Sequence, residues 1–458
     1  MTTVILVLLI ATAAFVMGRQ RAHAAAVGGK LSTLHSRPGH YAWYAALASA
    51  GPALALWALW AIFSPLVLRW VSSARVPAEI AAQGPEMTSF FMNDVSRLAR
   101  GLPVGSEPSQ ALTEAAGYYG MLLTASRWVL LVAAVAIAAA GLQAALRRID
   151  PQFRARNQVE RWVAMALFAA AAISILTTAG IVFSVLFESI RFFQLVPVTE
   201  FLFGTQWSPQ TAIRADQVGS TGAFGAVPLF AGTLLITTIA MLVAGPIGML
   251  SAIYLSSYAS PRFRSVAKPL LEILAGIPTV VFGFFAALVV APFFSRVGAS
   301  IGLEVASESA LAAGVVMGIM IIPFVSSLAD DAITSVPGSL RDAAYGLGAT
   351  KAETITQVVI PAALAGIIAG FLLAISRAIG ETMIVVMAAG LAANLTANPL
   401  ASVTTVTVQI VTLLVGDQEF DSAKTLSAFA LGLVLFLATL MLNVVALYVM
   451  QKYREKYD

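Results

Sequence analysis

The 458-residue chain contains no cysteine, which removes disulfides, thiolate metal sites and thiol catalysis and leaves the redox compartment open. Charge is scarce too. Asp, Glu, Lys and Arg together make up 11% of the residues, against about 25% in an average soluble domain. With 59% apolar residues and a mean hydropathy of +0.87, the composition excludes a soluble enzyme, a disordered protein and a coiled coil. The 27 basic and 23 acidic residues leave a net charge of +4, too few cations to coat a nucleic-acid surface. The three histidines, His23, His35 and His40, share one segment without metal-ligand spacing and read as solvated loop residues. The chain's Gly29-Lys30 pair is followed by Leu31, so no P-loop of the form GxxxxGK[ST] cradles phosphates. No metal site, no bound cofactor and no ATP hydrolysis by this chain are expected.

What is present is uncharged length. A hydrocarbon core about 30 Å thick needs about 20 residues of helix, since no backbone polar group can go unpaired in lipid. Uncharged runs occupy residues 2–17, 41–68, 128–146, 162–187, 227–257, 273–295, 309–329, 354–376 continuing past two charges to 390, and 425–451. They predict an all-α polytopic membrane protein of about nine spans. The first run is read as a retained helix with its N-terminus outside, because Arg19 and Arg21 follow it, the reverse of a cleaved signal peptide. Residues 401–415 are short and rich in Thr and Val, end at Gly416 and Asp417, and read as re-entrant or peripheral. With nine spans, 17 basic and 8 acidic residues fall inside, against 8 basic and 13 acidic outside. That is the bias that holds Lys and Arg in the cytoplasm, and it places the C-terminus there in a bacterial inner membrane.

Two parts are expected: residues 1–160, with three membrane helices and an outer loop, and residues 161–458, with six helices. In the outer loop, Met87, Phe90, Phe91, Val95 and Leu98 fall at helical spacing, which suits a helix on the membrane surface or a small self-packed loop domain. A second outer loop, 188–226, carries Phe192, Phe193, Phe201, Phe203 and Trp207; aromatics at a membrane edge are expected to anchor in headgroups. The GxxxG spacings 314–318 and 366–370 indicate close helix packing.

Ionisable groups within spans are expensive and tend to line a polar path. Arg127 lies near the outer end of its span and can snorkel, whereas Glu272 lies one turn beyond Lys268 at the inner surface. Arg377 follows Pro361 by 16 residues, about 24 Å along a helix, and Glu381 follows it at i+4, the spacing of one helical face. Two readings stand: a buried ion pair that fixes packing, or a permanently charged guanidinium whose planar fork helps an oxyanion cross, oriented by Glu381. The inner segment 330–360 reads Asp342, Ala343, Ala344, then Gly348, then Val358, Val359, Ile360 and Pro361. Such small residues suit a short helix docking into a groove on another protein.

That segment resembles the EAA loop of binding-protein-dependent ABC transporter permeases, with Asp342 for the family's Glu, Val358 for its Ile and Ile360 for its Leu, and with Ala343, Ala344, Gly348 and Pro361 in register. AGTLLITTIAMLVAGPIGMLSAIYLSSY from Ala231, LLEILAGIPTVVFGFF from Leu270 and SRAIGETMIV from Ser376 narrow the resemblance to phosphate transporter permeases of the PstC type over roughly residues 161–458. It implies a six-helix type I importer core of MetI-like fold, preceded by a three-helix extension outside the common short form. It further implies that Arg377 and Glu381 serve phosphate passage, with Glu272 a third candidate on the path. Asp342, Ala343, Ala344, Gly348 and Pro361 would couple to an ATPase. The implied partners are a second permease of the PstA type, an ATPase dimer carrying ATP and magnesium, a periplasmic phosphate-binding protein, phosphate and the lipid membrane. An importer of another oxyanion, such as molybdate or phosphonate, and a non-conducting sensory or scaffold subunit are the competing readings.

Overall fold

The computed structural model describes residues 2–26, 31–82, 84–104, 109–210, 222–415 and 422–452. The Gly29-Lys30 pair, the Gly416-Asp417 end of the re-entrant segment, and Arg454 and Lys456 of the basic tail lie outside them. Among the described residues, nine helices are long and apolar enough to cross a membrane, and the chain is an all-α multi-pass membrane protein. It divides into two compact units, Met1–Leu176 and Thr177–Asp458.

The first unit is built from α1 (Thr2–Ala25), α2 (Pro38–Ser73), α3 (Ala78–Ala81), α4 (Pro85–Leu98), α5 (Gln110–Arg148) and the first part of α6 (Ala155–Leu195). Its membrane helices meet through small residues. A Cβ on Gly18 would strike Ala45, and one on Gly141 would strike the Ala48 carbonyl of α2. Ser49 Oγ donates to the Ala138 carbonyl at 2.8 Å, a bond between α2 and α5 of the kind that substitutes for hydrophobic drive inside lipid. At one end the connecting loops are tied together: Tyr41 Oη donates to the Phe153 carbonyl, and the Tyr44 and Phe153 rings lie 4.8 Å apart. At the other end α4 divides the apolar stripe expected there. Val95 is buried with Leu68, Leu112 and Tyr119, and Phe91 and Leu98 pack partly buried against them, whereas Phe90 and Met87 stay exposed.

The second unit continues from α6 through α7 (Val198–Phe203), the two-residue strands β1 (Trp207–Ser208) and β2 (Ala223–Phe224), and α8 (Val227–Ile253). The strands pair antiparallel, with Trp207 opposite Phe224. Then come α9 (Pro261–Ala275), α10 (Thr279–Phe285), α11 (Ala291–Ser300), α12 (Ala310–Thr334), α13 (Gly338–Gly346), α14 (Lys351–Glu353), α15 (Ile360–Ile379), α16 (Met383–Ala388), α17 (Val406–Leu414) and α18 (Ala423–Lys452). Helix α12 is the centre. Gly314 and Gly318 bring it against Ile239 and Val243 of α8, while Gly366 and Gly370 of α15 rest on Ala332 and Leu328 of α12. The core around these helices includes Ile236, Val316, Met317, Ile321, Val325, Ala374 and Ile384.

Three expectations change. The span expected from 273 starts instead at Thr279, because the chain breaks at residues 276–278; Ile273 and Glu272 therefore belong to the separate amphipathic helix α9. The helix expected to run on to 390 ends at Ile379, since Gly380 caps it and Glu381 N bonds only three residues back, to the Ala378 carbonyl. The outer aromatics are packed rather than anchored: Phe192 and Phe201 are fully buried, and Phe192 meets Phe193, Phe201 and Phe224 edge-on at 5.3–5.6 Å. Edge-to-face stacking gives each such ring a partner that a headgroup would not. Phe203 alone of those five remains strongly exposed.

Residues 401–415 end in α17, whose nine residues reach only about 13 Å and cannot cross a bilayer. A Cβ on Gly232 of α8 would strike the Thr404 carbonyl that leads into this helix. Gly232→Val is therefore expected to displace residues 401–405 and destabilise the protein by about 1–3 kcal/mol, read as a lowered melting temperature of the purified protein. Phe192→Ala, which empties the aromatic cluster, is expected to cost about 3–5 kcal/mol in the same measurement.

Candidate functional site

Arg377 lies in the last turn of α15, where unpaired carbonyls carry the negative end of the helix dipole and favour a cation. Its guanidinium carbon sits 5.6 Å from the centroid of the Phe324 ring on α12, within cation–π range. The side chain is exposed on this chain, and among the described residues no carboxylate lies in ion-pair range of it. Glu381 is not its partner. With the helix ended at Gly380, the i+4 relation no longer places the two on one face. The Glu381 carboxylate turns forward instead, and Oε1 accepts from the backbone N–H of Met383 at 3.0 Å and of Ile384 at 3.4 Å, capping α16. Its own carbonyl accepts from Thr407 Oγ1 at 2.9 Å, which joins the turn to α17. Among the described residues, no acceptor is in hydrogen-bond range of the planar set of donors on Arg377, the condition for bidentate contact with an oxyanion.

The turn carrying Glu381 is held by a buried polar network that sequence reasoning did not single out. Trp207 Nε1 donates to Gln409 Oε1 at 3.0 Å, and Gln409 Nε2 donates to the Leu391 carbonyl at 3.1 Å. Thr405 caps α17, and Thr233 Oγ1 accepts from Val406 N at 3.2 Å. Each contact satisfies a polar group that burial would otherwise leave orphaned. A Gln in a nine-residue helix whose other residues are Val, Ile, Leu and Thr was the available signal.

A second charged group joins α9 to the C-terminal end of α12. Arg264 Nη2 reaches both oxygens of Asp330, at 3.0 and 2.9 Å, and Lys268 Nζ lies 2.9 Å from Asp330 Oδ2 and 3.5 Å from Asp331 Oδ1. The Asp330 side chain is only 4% exposed. Breaking such a buried cluster by removing one member costs about 3–5 kcal/mol. The hydrogen bond to Asp330 raises the Lys268 pKa above its ordinary 10.5, against a smaller opposing effect of burial. Glu272 is exposed and lines, with Lys268, Ser326, Ser327 and Asp330, a pocket of about 10 Å³, room for about one water. Arg127, the fourth charge expected in a span, is exposed within α5.

The inner loop is short helices joined by a tight turn. Helix α13 ends at Gly346 with Leu347 as its cap, and Gly348 follows in the left-handed region at φ +85°, where a side chain would be strained. Thr350 and Glu353 form a capping box that restarts the chain as α14, and a π-helical turn, Thr354–Val359, leads into α15. Asp342, Ala343 and Gly348 are exposed while Ala344 is buried against the chain. Pro361 stands exposed in the first turn of α15. Leu347 is 90% exposed and Tyr345 45% exposed, an apolar tip with no cover of its own. Arg341 Nη2 donates to the Ile333 carbonyl at 2.8 Å, fastening α13 to the last turn of α12.

Two family descriptions match the chain. "Phosphate ATP-binding cassette transporter" matches residues 4–177, and "Binding-protein-dependent transport system inner membrane component" matches residues 244–455. Among curated proteins, the chain is 31% identical over 270 residues to the phosphate transport system permease protein PstC of Mesorhizobium japonicum, covering 55% of this chain and 78% of that protein. It is 30% identical over 271 residues to PstC 1 of Mycobacterium tuberculosis, covering 54% and 80%. It is also 30% identical over 236 residues to the "Probable ABC transporter permease protein YqgH" of Bacillus subtilis, covering 52% and 72%. Among solved structures, the inward-facing MetNI methionine ABC transporter shares 15% identity, covers 50% of this chain and 95% of its own, and superposes with a TM-score of 0.37.

Glu381→Ala leaves two amides of α16 uncapped and is expected to lower stability by about 1 kcal/mol, measured by thermal denaturation beside Glu381→Gln, which keeps an acceptor oxygen. A lysine pKa raised by folding stabilises the folded state at every pH below the ordinary value and loses that contribution as pH climbs through the raised one. The Lys268 contribution is accordingly expected to be constant across neutral pH and to fall away only above about 10.5. Comparing the alkaline melting profile with that of Lys268→Gln checks this.

Proposed function

Because this chain belongs to the PstC family of phosphate transport permeases within the binding-protein-dependent importers, we propose that it forms half of the translocation path of an inorganic phosphate importer. The other half is a second permease of the PstA type. A periplasmic binding protein delivers phosphate, and two ATPase subunits, which carry the ATP and magnesium, supply the energy. The chain lies in a bacterial inner membrane with its N-terminus periplasmic and its C-terminus cytoplasmic; it binds no cofactor and hydrolyses nothing itself.

The observation that carries this reading is Arg377: an exposed guanidinium at a helix end, held over Phe324 and given no carboxylate by its own chain among the described residues. A cation at the surface of a permease half, rather than sealed in its core, is one that a path shared between two subunits can use. Glu381 acts on it at a distance, by shaping the turn between α15 and α16. Glu272 sits at the inner side, beside Lys268, where an outgoing anion would pass. The apolar tip Tyr345–Leu347, with Asp342, Ala343, Ala344 and Gly348 in α13 and its turn and Pro361 beyond, docks on the ATPase, and ATP binding and hydrolysis there rock the helices so that the path faces first outside, then inside. Residues 1–160 add three membrane helices to that six-helix core.

In reconstituted complex, labelled phosphate uptake should resist competition by molybdate and phosphonate; movement of either anion without phosphate would replace phosphate as the substrate. Arg377→Gln is expected to lower uptake by about tenfold or more, the loss of one charge-assisted contact of about 1.5–3 kcal/mol, with assembly intact by size-exclusion chromatography. Uptake at the wild-type level in that variant would favour a non-conducting scaffold.

A further inference from the structure

Helix α9 is fastened to the rest of its unit in an unusual way. None of its residues is buried, and Phe263, Val266, Leu270 and Ile273 form an exposed apolar stripe. Arg264 and Lys268, four residues apart and so on one face, both close on Asp330 of α12. Asp330 is one turn from Ile333, whose carbonyl receives Arg341 of α13. The coupling helix is thus tied to the last turn of α12, and that same turn is tied by charge to α9. Beyond α9 the chain passes through the break at 276–278 into the span Thr279–Ser300.

We infer that Asp330 is a positioning residue for transport: by gripping Arg264 and Lys268 it makes α9 follow the coupling helix α13 when the ATPase moves. This rests on the reading of α13 as the ATPase-docking helix. A buried carboxylate with two cations resists slippage because any separation strands an uncompensated charge. The apolar contacts of α9, Leu274 against the core and the Phe263 ring against Tyr254, offer no such penalty against sliding. The grip therefore carries displacement from α13 through the end of α12 to α9, and from there into the following span.

The chain's lack of cysteine allows a direct test. Ser265→Cys on α9 and Ser339→Cys on α13, both at exposed positions, are spin-labelled in the full transport complex, and their separation is measured without nucleotide and with ATP trapped by vanadate. In the otherwise wild-type chain the separation is expected to be narrow and the same in both states. Asp330→Asn is expected to broaden it and make it depend on nucleotide, with Asp330→Glu restoring the narrow form. An Asp330→Asn distribution matching the parent in both states would overturn the inference. Phosphate imported per ATP hydrolysed is read beside it. It should fall about tenfold in Asp330→Asn, a coupling loss within the usual range, while hydrolysis continues; an unchanged ratio, or uptake and hydrolysis falling in proportion, counts against the inference. Should Asp330→Asn fail to fold, Lys268→Gln, which keeps both Arg264 contacts, must show the same broadening to a lesser degree, and its absence there is equally fatal. A parent complex that moves no phosphate refutes the transport reading, while the distance measurement still decides the inference.

Discussion

An ion taken from water into a bilayer costs on the order of 3 kcal/mol even on the mildest insertion scales, and the second unit is arranged around that constraint. Its charges sit where the backbone or another ion compensates them. Arg377 stands at the negative end of a helix and over an aromatic face. Glu381 receives two amides at the start of α16. Asp330, the most enclosed of the group, is held by two cations at once. The difference among them is informative. Asp330 is met by two cations, whereas Arg377 meets no carboxylate among the described residues.

The same medium disciplines the backbone. Breaks at 276–278 and 380–382 and the re-entrant segment before α17 leave peptide groups without helical partners, and lipid supplies none. Each break is repaired locally. Gly276 and Gly380 close their helices with short-range bonds, and Gln409, Thr233, Thr405 and Thr407 supply further backbone partners by side chain. Trp207, brought near by the small β1–β2 ladder, completes the set by donating to Gln409. The outer aromatic cluster therefore has a role beyond its own packing, since it positions the residue that steadies the turn bearing Glu381.

Small residues let these parts act together. Gly314, Gly318, Gly366 and Gly370 bring α8, α12 and α15 into backbone contact, leaving little slack between the inner loop and the outer end of α15. A central α12 with α13 fastened at its end and an ionically held α9 beside it leaves these helices little freedom to shift separately, because close-packed interiors deform in discrete steps rather than continuously.

Much of this protein follows from its residues alone. Uncharged runs of bilayer length can do little in water or lipid except form spans, so the all-helical architecture and the nine long helices among the described residues were legible, as was the kinship carried by the inner loop and the segments from Leu270 and Ser376. GxxxG spacing told of packing because the absence of a side chain is itself the contact. What spacing could not convey was where a helix stops once apolar character continues past the stop. Arg377 and Glu381 look paired at i+4, yet Gly380 separates them, and only the competition between one more helical turn and a cap for α16 settles that. Phe192 and Phe201 could have met headgroups or each other, and tertiary folding brought them together. The union of Arg264, Lys268 and Asp330 spans 62 residues or more of chain. No local pattern encodes it, because charges so far apart in sequence acquire a common dielectric environment only after the helices between them have packed.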